Sequence, residues 1–394
     1  MRRVAMLMMA WGAMAAALAA PGAKERARDL GIPFDGTPGP LNAITDVKGI
    51  EVGYATKIEG DGKLVVGKGP VRTGVTVILP RGRQDTSPVY AGWFSQNGNG
   101  EMTGTTWIEE SGQLEGPVAI TNTHSVGLVR DSIIAWNVDA GRLTEQPWML
   151  PVVAETWDGA LNDINGFHVT KQDVYSAING AKGGPIAEGS VGGGTGMVCY
   201  QFKGGSGTAS RVVEKKYGGY TVGVFVQCNC GFRSQLRVAG VRVGLAIPAK
   251  SEELAALHRK PDQDLGSIII VVATDAPLLP DQLKRLARRA TMGLARTGST
   301  SGNGSGDIFV AFSTANRGAD NPPGPNAVHT VSNSNISALF SATVEATEEA
   351  IINAMVAAPT MKGIDGVTID GIPHDKVRDL MKAARAAGLP GTGN

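Results

Sequence analysis

At 394 residues with a formal net charge of +1, the chain is long enough to bury a substantial core without covalent staples. It lacks the dense Lys/Arg block or basic stripe interleaved with aromatics that would mark a nucleic-acid partner. Its five histidines are scattered and its three cysteines lack zinc-like spacing, so neither a metal nor any other cofactor is expected, and a small substrate of modest charge fits best.

The amino terminus, MRRVAMLMMAWGAMAAALAAPGAKE, pairs two arginines with an apolar run too short and alanine-rich for a membrane span, followed by a small-residue ALA. This predicts a signal peptide over residues 1–19, cut after Ala19, leaving a periplasmic or secreted single domain over 20–394 with no membrane attachment. Arg2-Arg3 alone is a weak twin-arginine signal.

Short β-rich runs follow at GVTVILP, PVAITNT, YTVGVFVQCN, RVGLAIP, SIIIVVAT and DIFVAFST, nearly continuous in apolar residues and bounded by Gly, Pro or Asn. Strands covered on both faces have this composition. Helical patterns lie between them: MLPVVAETWDGALNDI, PDQLKRLARRATMGLAR with Leu283, Leu286, Ala287, Ala290 and Leu294 on one stripe, and ISALFSATVEATEEAIINAMVAA. The fold class is therefore α/β, with two stacked sheets sandwiched by helices. Within the last helix, Glu345, Glu348 and Glu349 read as a solvated face.

The chain holds 54 glycines, about twice the usual share, clustered in SQNGNGEMTG, EGSVGGGTGM, KGGSGTASR and GSTSGNGSGD. Such clusters suggest tight turns converging on a site. Gly192–Gly196, GGGTG, lacks the Lys-Ser/Thr that a phosphate loop needs, so it reads as a close backbone turn shaping a pocket. Cys199, Cys228 and Cys230 read as small buried hydrophobes, the last two being too close for an easy bridge.

Ile247–Gly266, IPAKSEELAALHRKPDQDLG, is charged and bears a proline, which makes it the best candidate for an exposed break. It ends at a Gly-Ser pair. Ser267 either simply begins the strand SIIIVVAT or becomes a new amino terminus after scission of Gly266–Ser267. A serine hydroxyl needs a base, and no histidine stands in a recognisable triad motif; the serine of GNGSGD, Ser305, lacks the spacing of a nucleophile elbow. A free α-amino group, with a reference pKa of about 7.7 to 8.0, could serve as that base at neutral pH. The residues alone leave both readings open.

An ordered set of motifs runs along nearly the whole chain: PGPLNAITDVKGIEVGYAT, NGNGEMTGTTWIEESG, ITNTHSVGLVRDSI, VVAETWDGALNDING, GSVGGGTGMVCYQFKGGSGTASR, GSIIIVVATDAPLLPDQLKRLARRA, NGSGDIFVAFSTAN and LFSATVEATEEAIINAM. In these the sequence resembles the self-processing aminopeptidases that include β-peptidyl aminopeptidases and the L-aminopeptidase/D-esterase type. The resemblance implies an αββα sandwich similar to N-terminal-nucleophile hydrolases but differently connected. It also implies autocleavage into a heavy chain, 20–266, and a light chain, 267–394, that stay together, with several pairs assembling into a homo-oligomer. The implied activity is release of a β-, L- or D-amino acid from the amino terminus of a short peptide, amide or ester.

By the same resemblance, Ser267 is the nucleophile, assisted by Ser305 and Asp307. Asn229 is the oxyanion donor, and Glu155, placed here on an apolar helix, binds the substrate amine. Side-chain amides and carboxylates suit those roles. Two other readings compete: an acyltransferase of the ornithine acetyltransferase type, and an exported, non-catalytic peptide-binding protein.

Overall fold

The computed structural model describes residues 25–249, 266–317 and 326–388. The expected signal segment, 1–19, and most of the Ile247–Gly266 connection lie outside these. Strands β1 (Glu51–Glu59), β2 (Val71–Leu79), β3 (Val89–Ser95), β4 (Gln113–Leu114), β5 (Val118–Asn122) and β6 (Val152–Thr156) come first. The hairpin β7 (Val198–Cys199) and β8 (Phe202–Lys203) follows, then β9 (Gly205–Val212), β10 (Thr221–Asn229), β11 (Ser267–Thr274) and β12 (Gly306–Ser313). One sheet has the order β1-β2-β5-β6, the other β4-β3-β12-β11-β10-β9.

Strand β11 shows why the sequence builds this arrangement. Every one of its residues is buried. Ile268, Ile270 and Val272 pack toward the helices, whereas Ile269, Val271 and Ala273 pack against Ile78, Val118, Ile120 and Ala154 of the other sheet. An alternating strand with no polar face needs a cover on both sides. Helix α1 (Thr105–Ser111) is short; α2 (Val126–Asp139) and α3 (Lys171–Asn179) cover the outer face of the four-stranded sheet. After α4 (Val243–Ala246), the long helices α5 (Pro280–Arg296) and α6 (Ser337–Val356) cover the six-stranded sheet. The layers are αββα, as expected.

Helix α5 has the boundaries its sequence predicts. Pro280 opens it and the Gln282 side chain caps it by accepting from the Leu279 N–H at 3.1 Å. Its stripe of Leu283, Leu286, Ala287, Ala290 and Leu294 is wholly buried, and each leucine stabilises the fold by about 1.5–3 kcal/mol through removal from water.

Several expectations fail for identifiable reasons. The segment Met149–Ile164 is not helical: Val152–Thr156 forms β6, paired in parallel with β5 from Val118↔Val152 to Asn122↔Thr156. Its β-branched Val152, Val153 and Thr156 suit a ladder buried on both faces, and tertiary pairing overrides the helical spacing. Glu155 therefore stands near a strand end, not on a helix. RVGLAIP is no strand; its Val243–Ala246 forms a helical turn, with Gly244 pressed so close to Arg233 that a Cβ would fall 1.6 Å from its carbonyl oxygen.

The VEATEEA face is not solvated. Glu349 is fully buried, held by Arg28 at 2.8 Å, Arg211 at 2.7 Å and Asn42 at 2.6 Å, and Glu348 is buried and paired with Arg296. Their arginine partners come from separate elements distant in sequence: Arg28 from the amino-terminal segment, Arg211 from β9 and Arg296 from the end of α5. The cysteines are buried, but not merely hydrophobic: Cys199 and Cys228 form a disulfide, and the Cys230 sulfur lies 3.8 Å from that of Cys228. The hairpin β7–β8 brings Cys199 beside β10, a proximity that sequence spacing does not reveal. Among the described residues no helix is long and apolar enough to cross a membrane.

Candidate active site

The junction Gly266–Ser267 sits at the amino end of β11, between two strand ends. Ser267 is opposite Asn229 in the antiparallel β10–β11 ladder and opposite Gly306 in the parallel β11–β12 ladder. The Gly306 N–H points at two polar atoms of the junction, 3.2 Å from Ser267 Oγ and 3.3 Å from the Gly266 carbonyl oxygen. Position 306 must be glycine, because a Cβ there would fall 2.3 Å from the Asn99 carbonyl oxygen. That close approach lets the glycine-rich segment around Asn99 and Gly100 lie across the strand end as a wall.

Ser267 is buried, with 5% of its surface exposed, and it opens onto a cavity of about 430 Å3 lined by Asn99, Gly100, Glu101, Thr123, Glu155, Trp157 and Gly304. Glu155 faces Ser267 from the other sheet. Its Oε1 accepts from the Glu101 N–H at 3.1 Å and its Oε2 from the Thr123 hydroxyl. Burial pushes its carboxyl above the ordinary range, and these two hydrogen bonds restrain the rise. Among the described residues no arginine or lysine lines the cavity, so the carboxylate has no cationic partner there.

Asn229 is buried on the ladder beside Ser267. Its Oδ1 accepts from the Val198 N–H at 2.8 Å, while its Nδ2 makes no hydrogen bond among the described residues. Because a backbone N–H can only donate, this contact identifies which amide atom is oxygen. A buried N–H group without an acceptor is costly unless a substrate provides one.

Ser305 donates to Asp307 Oδ1 at 2.6 Å, and both are buried. Strand alternation places Asp307 with Phe309 on the helix side of β12, and Ser267 with Ile269 on the inter-sheet side of β11. No hydrogen bond among the described residues joins the two serine hydroxyls. The structure thus gathers all five residues expected from the sequence around one strand end, with the Ser305–Asp307 pair displaced to the opposite face.

Sequence reasoning missed Thr123, Glu101, Trp157 and Gly306. Thr123 and Trp157 carried no local signal, since their roles arise from the juxtaposition of β5 and β6; Gly306 was legible only as one glycine in a cluster. Two of the four clusters line the cavity, through Asn99-Gly100 and Gly304. GGGTG lies behind it, where added Cβ atoms at Gly193 and Gly194 would collide with Gln227 and Ser206. It packs the two sheets together and does not form the cavity wall. Among the described residues, the one group of three clustered metal-ligand types is Cys199, Cys228 and Cys230, and the disulfide occupies two of its sulfurs.

A four-layer αββα sandwich with a serine at a central strand end, an amide beside it and a carboxylate across a cavity defines a hydrolase related to the N-terminal-nucleophile enzymes. Residues 42–369 match peptidase family S58, and the chain belongs to that family of serine aminopeptidases. It is 55% identical over 368 residues to the beta-peptidyl aminopeptidase BapA of Sphingosinicella microcystinivorans, covering 91% of this chain and 92% of the relative. Among solved structures, the Burkholderia sp. beta-aminopeptidase matches with a TM-score of 0.81 and 47% identity, over 91% of this chain and 99% of that one. The L-aminopeptidase D-Ala-esterase/amidase of Ochrobactrum anthropi, described as a variant of the Ntn hydrolase fold, matches with a TM-score of 0.82 and 47% identity, over 92% and 99%. These relatives favour aminopeptidase chemistry over the acyltransferase and the non-catalytic binder.

Proposed function

We propose that the chain cuts itself at Gly266–Ser267 and that the freed Ser267 is the nucleophile of an exported aminopeptidase for short substrates. The carrying observation is that Ser267 and Glu155, from different sheets, open onto one cavity. A substrate amine held by the carboxylate brings its acyl carbon over the hydroxyl.

In the maturation step, Ser267 Oγ attacks the Gly266 carbonyl carbon while the Gly306 N–H supports the developing oxyanion. The C–N bond breaks, the hydroxyl proton passes to the nitrogen, and the resulting ester is hydrolysed by water to the Gly266 carboxylate and free Ser267. In turnover, the new α-amino group takes the Ser267 proton and delivers it to the leaving amine. Asn229 Nδ2 donates to the tetrahedral oxyanion. Asp307, on the other face of the sheet and joined to Ser305, serves the α-amino group rather than the hydroxyl. Water then releases the first residue from the acyl-enzyme.

The first residue is proposed to be a β-amino acid, a reading supported by 55% identity to a β-peptidyl aminopeptidase. Heavy and light chains remain paired and assemble further, in the periplasm or outside the cell, once the segment up to Ala19 is removed.

Intact mass after expression tests maturation. The expected light chain begins at Ser267 and ends at Asn394; one beginning at Ser305, or an uncut chain that turns over substrate, overturns the assignment. Comparing kcat/KM on a β-homoalanyl and an L-alanyl anilide tests the substrate: higher activity on the L-substrate rejects the β-residue reading alone.

A further inference from the structure

Among the described residues, the Asn229 side chain makes one hydrogen bond, with Oδ1 accepting from the Val198 N–H at 2.8 Å. The residues bordering that contact on its two strands are Cys199, immediately after Val198, and Cys228, immediately before Asn229. They form the disulfide. The hydrogen bond and the covalent bond thus close one small ring linking β7 to β10.

The hairpin that presents Val198 has no reason to hold its shape by itself. Its strands are two residues long, and the turn between them places Tyr200 at φ 50° and Gln201 at φ 58°. Two consecutive left-handed residues are the requirement of a tight primed turn, which favours Asn and Gly and is strained for tyrosine and glutamine. Strained backbone persists where surrounding contacts over-determine it. Here the Tyr200 N–H donates to the Cys230 carbonyl at 2.6 Å, the Tyr200 hydroxyl shares a 2.6 Å hydrogen bond with Thr297, and Arg233 Nε donates to the Tyr200 carbonyl at 3.0 Å. These act on the turn. The disulfide acts on the strand residue next to Val198.

Close packing leaves little alternative to this placement. A Cβ on Gly204 would fall 2.8 Å from Cys199 Cβ and 2.4 Å from the Cys228 carbonyl oxygen, so the β8 end lies directly on the bridge. By strand alternation the sulfurs lie on the helix side of β10, where Cys228 belongs to the helix-facing core, while Asn229 faces the other sheet. The bridge therefore stiffens the amide's support without entering the cavity.

We infer that the Cys199–Cys228 disulfide is a positioning device for the oxyanion donor: it holds Val198 against Asn229 so that Nδ2 stays directed at the reacting carbonyl. The inference rests on the proposed role of Asn229. Opening the bridge with a dithiol transfers two electrons and two protons to the sulfurs and converts the dithiol to its own disulfide. The hairpin relaxes, and the donor loses its fixed aim. Substrate binding through Glu155, across the cavity, is untouched.

Thiol titration in denaturant gives the first test: with Cys199 and Cys228 bridged, one titratable thiol per chain is expected before reduction and three after it. Three free thiols before reduction overturn the inference. In the second test, Cys199→Ser/Cys228→Ser lowers kcat roughly tenfold with KM unchanged, less than the hundred- to thousandfold expected for loss of an oxyanion donor outright. In an Asn229→Ala background the same pair of substitutions produces no further fall. An unchanged kcat, or an equal fall in both backgrounds, overturns the inference, because a general loss of structure would not depend on Asn229.

If the double variant does not fold, wild-type enzyme reduced with dithiothreitol and alkylated replaces it, assayed beside its far-ultraviolet circular dichroism, with the same kcat fall expected and an unchanged kcat again decisive against. Asn229→Ala measured alone separates the two levels. Full activity there rejects the oxyanion role itself, whereas normal loss there with indifferent cysteines rejects only the positioning role.

Discussion

Asn229 and Ser267 stand directly opposite each other in the β10–β11 ladder, and the asparagine spends its carbonyl oxygen on the Val198 N–H while its Nδ2 has no hydrogen-bond partner among the described residues. This division of one amide explains a buried polar group that would otherwise only destabilise the fold. The oxygen is the anchor, and in the proposed mechanism the nitrogen donates to a carbonyl that arrives with substrate.

Replacing Asn229 with Ala is accordingly expected to lower kcat by about a hundred- to a thousandfold, with little change in KM. Steady-state kinetics on an amide substrate check it. A KM effect with intact kcat would place Asn229 in ground-state binding.

In the proposed function Glu155 binds the substrate amine as a carboxylate, yet burial holds its pKa above the ordinary value. As pH falls, it is protonated earlier than an exposed glutamate would be. The acid limb of kcat/KM is thus expected above the usual carboxylate range, and Glu155→Gln should lower kcat/KM on the order of a hundredfold and remove that limb. A pH profile of both enzymes provides the comparison.

Asp158, three residues further on and fully buried, has its pKa raised to about 6 from 3.8 by burial, with hydrogen bonds from Thr73, Asn162 and Asn122 limiting the rise. Between those values the native state binds more protons than the unfolded chain, so this group's contribution to stability is full below pH 3.8 and is lost as pH rises through 6. Asp158→Asn is expected to gain up to about 3 kcal/mol relative to wild type above that window. Urea denaturation at pH 4 and pH 7 measures the difference.

Glu349 illustrates a different electrostatic balance. Burial alone would raise its pKa, but the Arg28 hydrogen bond and the Arg211 charge leave it below the ordinary value. Arg211 is itself only 1% exposed at its side chain. Glu349→Ala should therefore destabilise the protein by about 3–5 kcal/mol, since it removes the nearest carboxylate from a buried guanidinium. Thermal unfolding in the wild-type and variant proteins tests this, with a surface-like loss of under about 1 kcal/mol counting against it.

Much of this architecture was legible in the residues. SIIIVVAT reads as a strand covered on both faces, and the 3.6-residue stripe of Leu283, Leu286, Ala290 and Leu294 reads as a helix with one buried side. The segment around Glu155 was misread because its apolar residues satisfy helical spacing as well as a strand. β5 resolves the ambiguity by supplying a parallel partner. The acidic face of α6 was misread for a related reason: a glutamate's burial depends on whether a distant arginine reaches it, and Arg28 and Arg211 come from far along the chain.

By itself, the sequence determined the periodicities, the Gly-Ser junction and the chemical types that could act there, because these depend on neighbours a few residues apart. Motif resemblance extended that to the five expected residues. Only the tertiary structure decided that Asn229 faces Ser267, that Glu155 closes the cavity from the other sheet, and that Cys199 reaches Cys228. Each of these is a meeting of strand ends remote in sequence, set by ladder register and by how closely glycine lets two backbones approach.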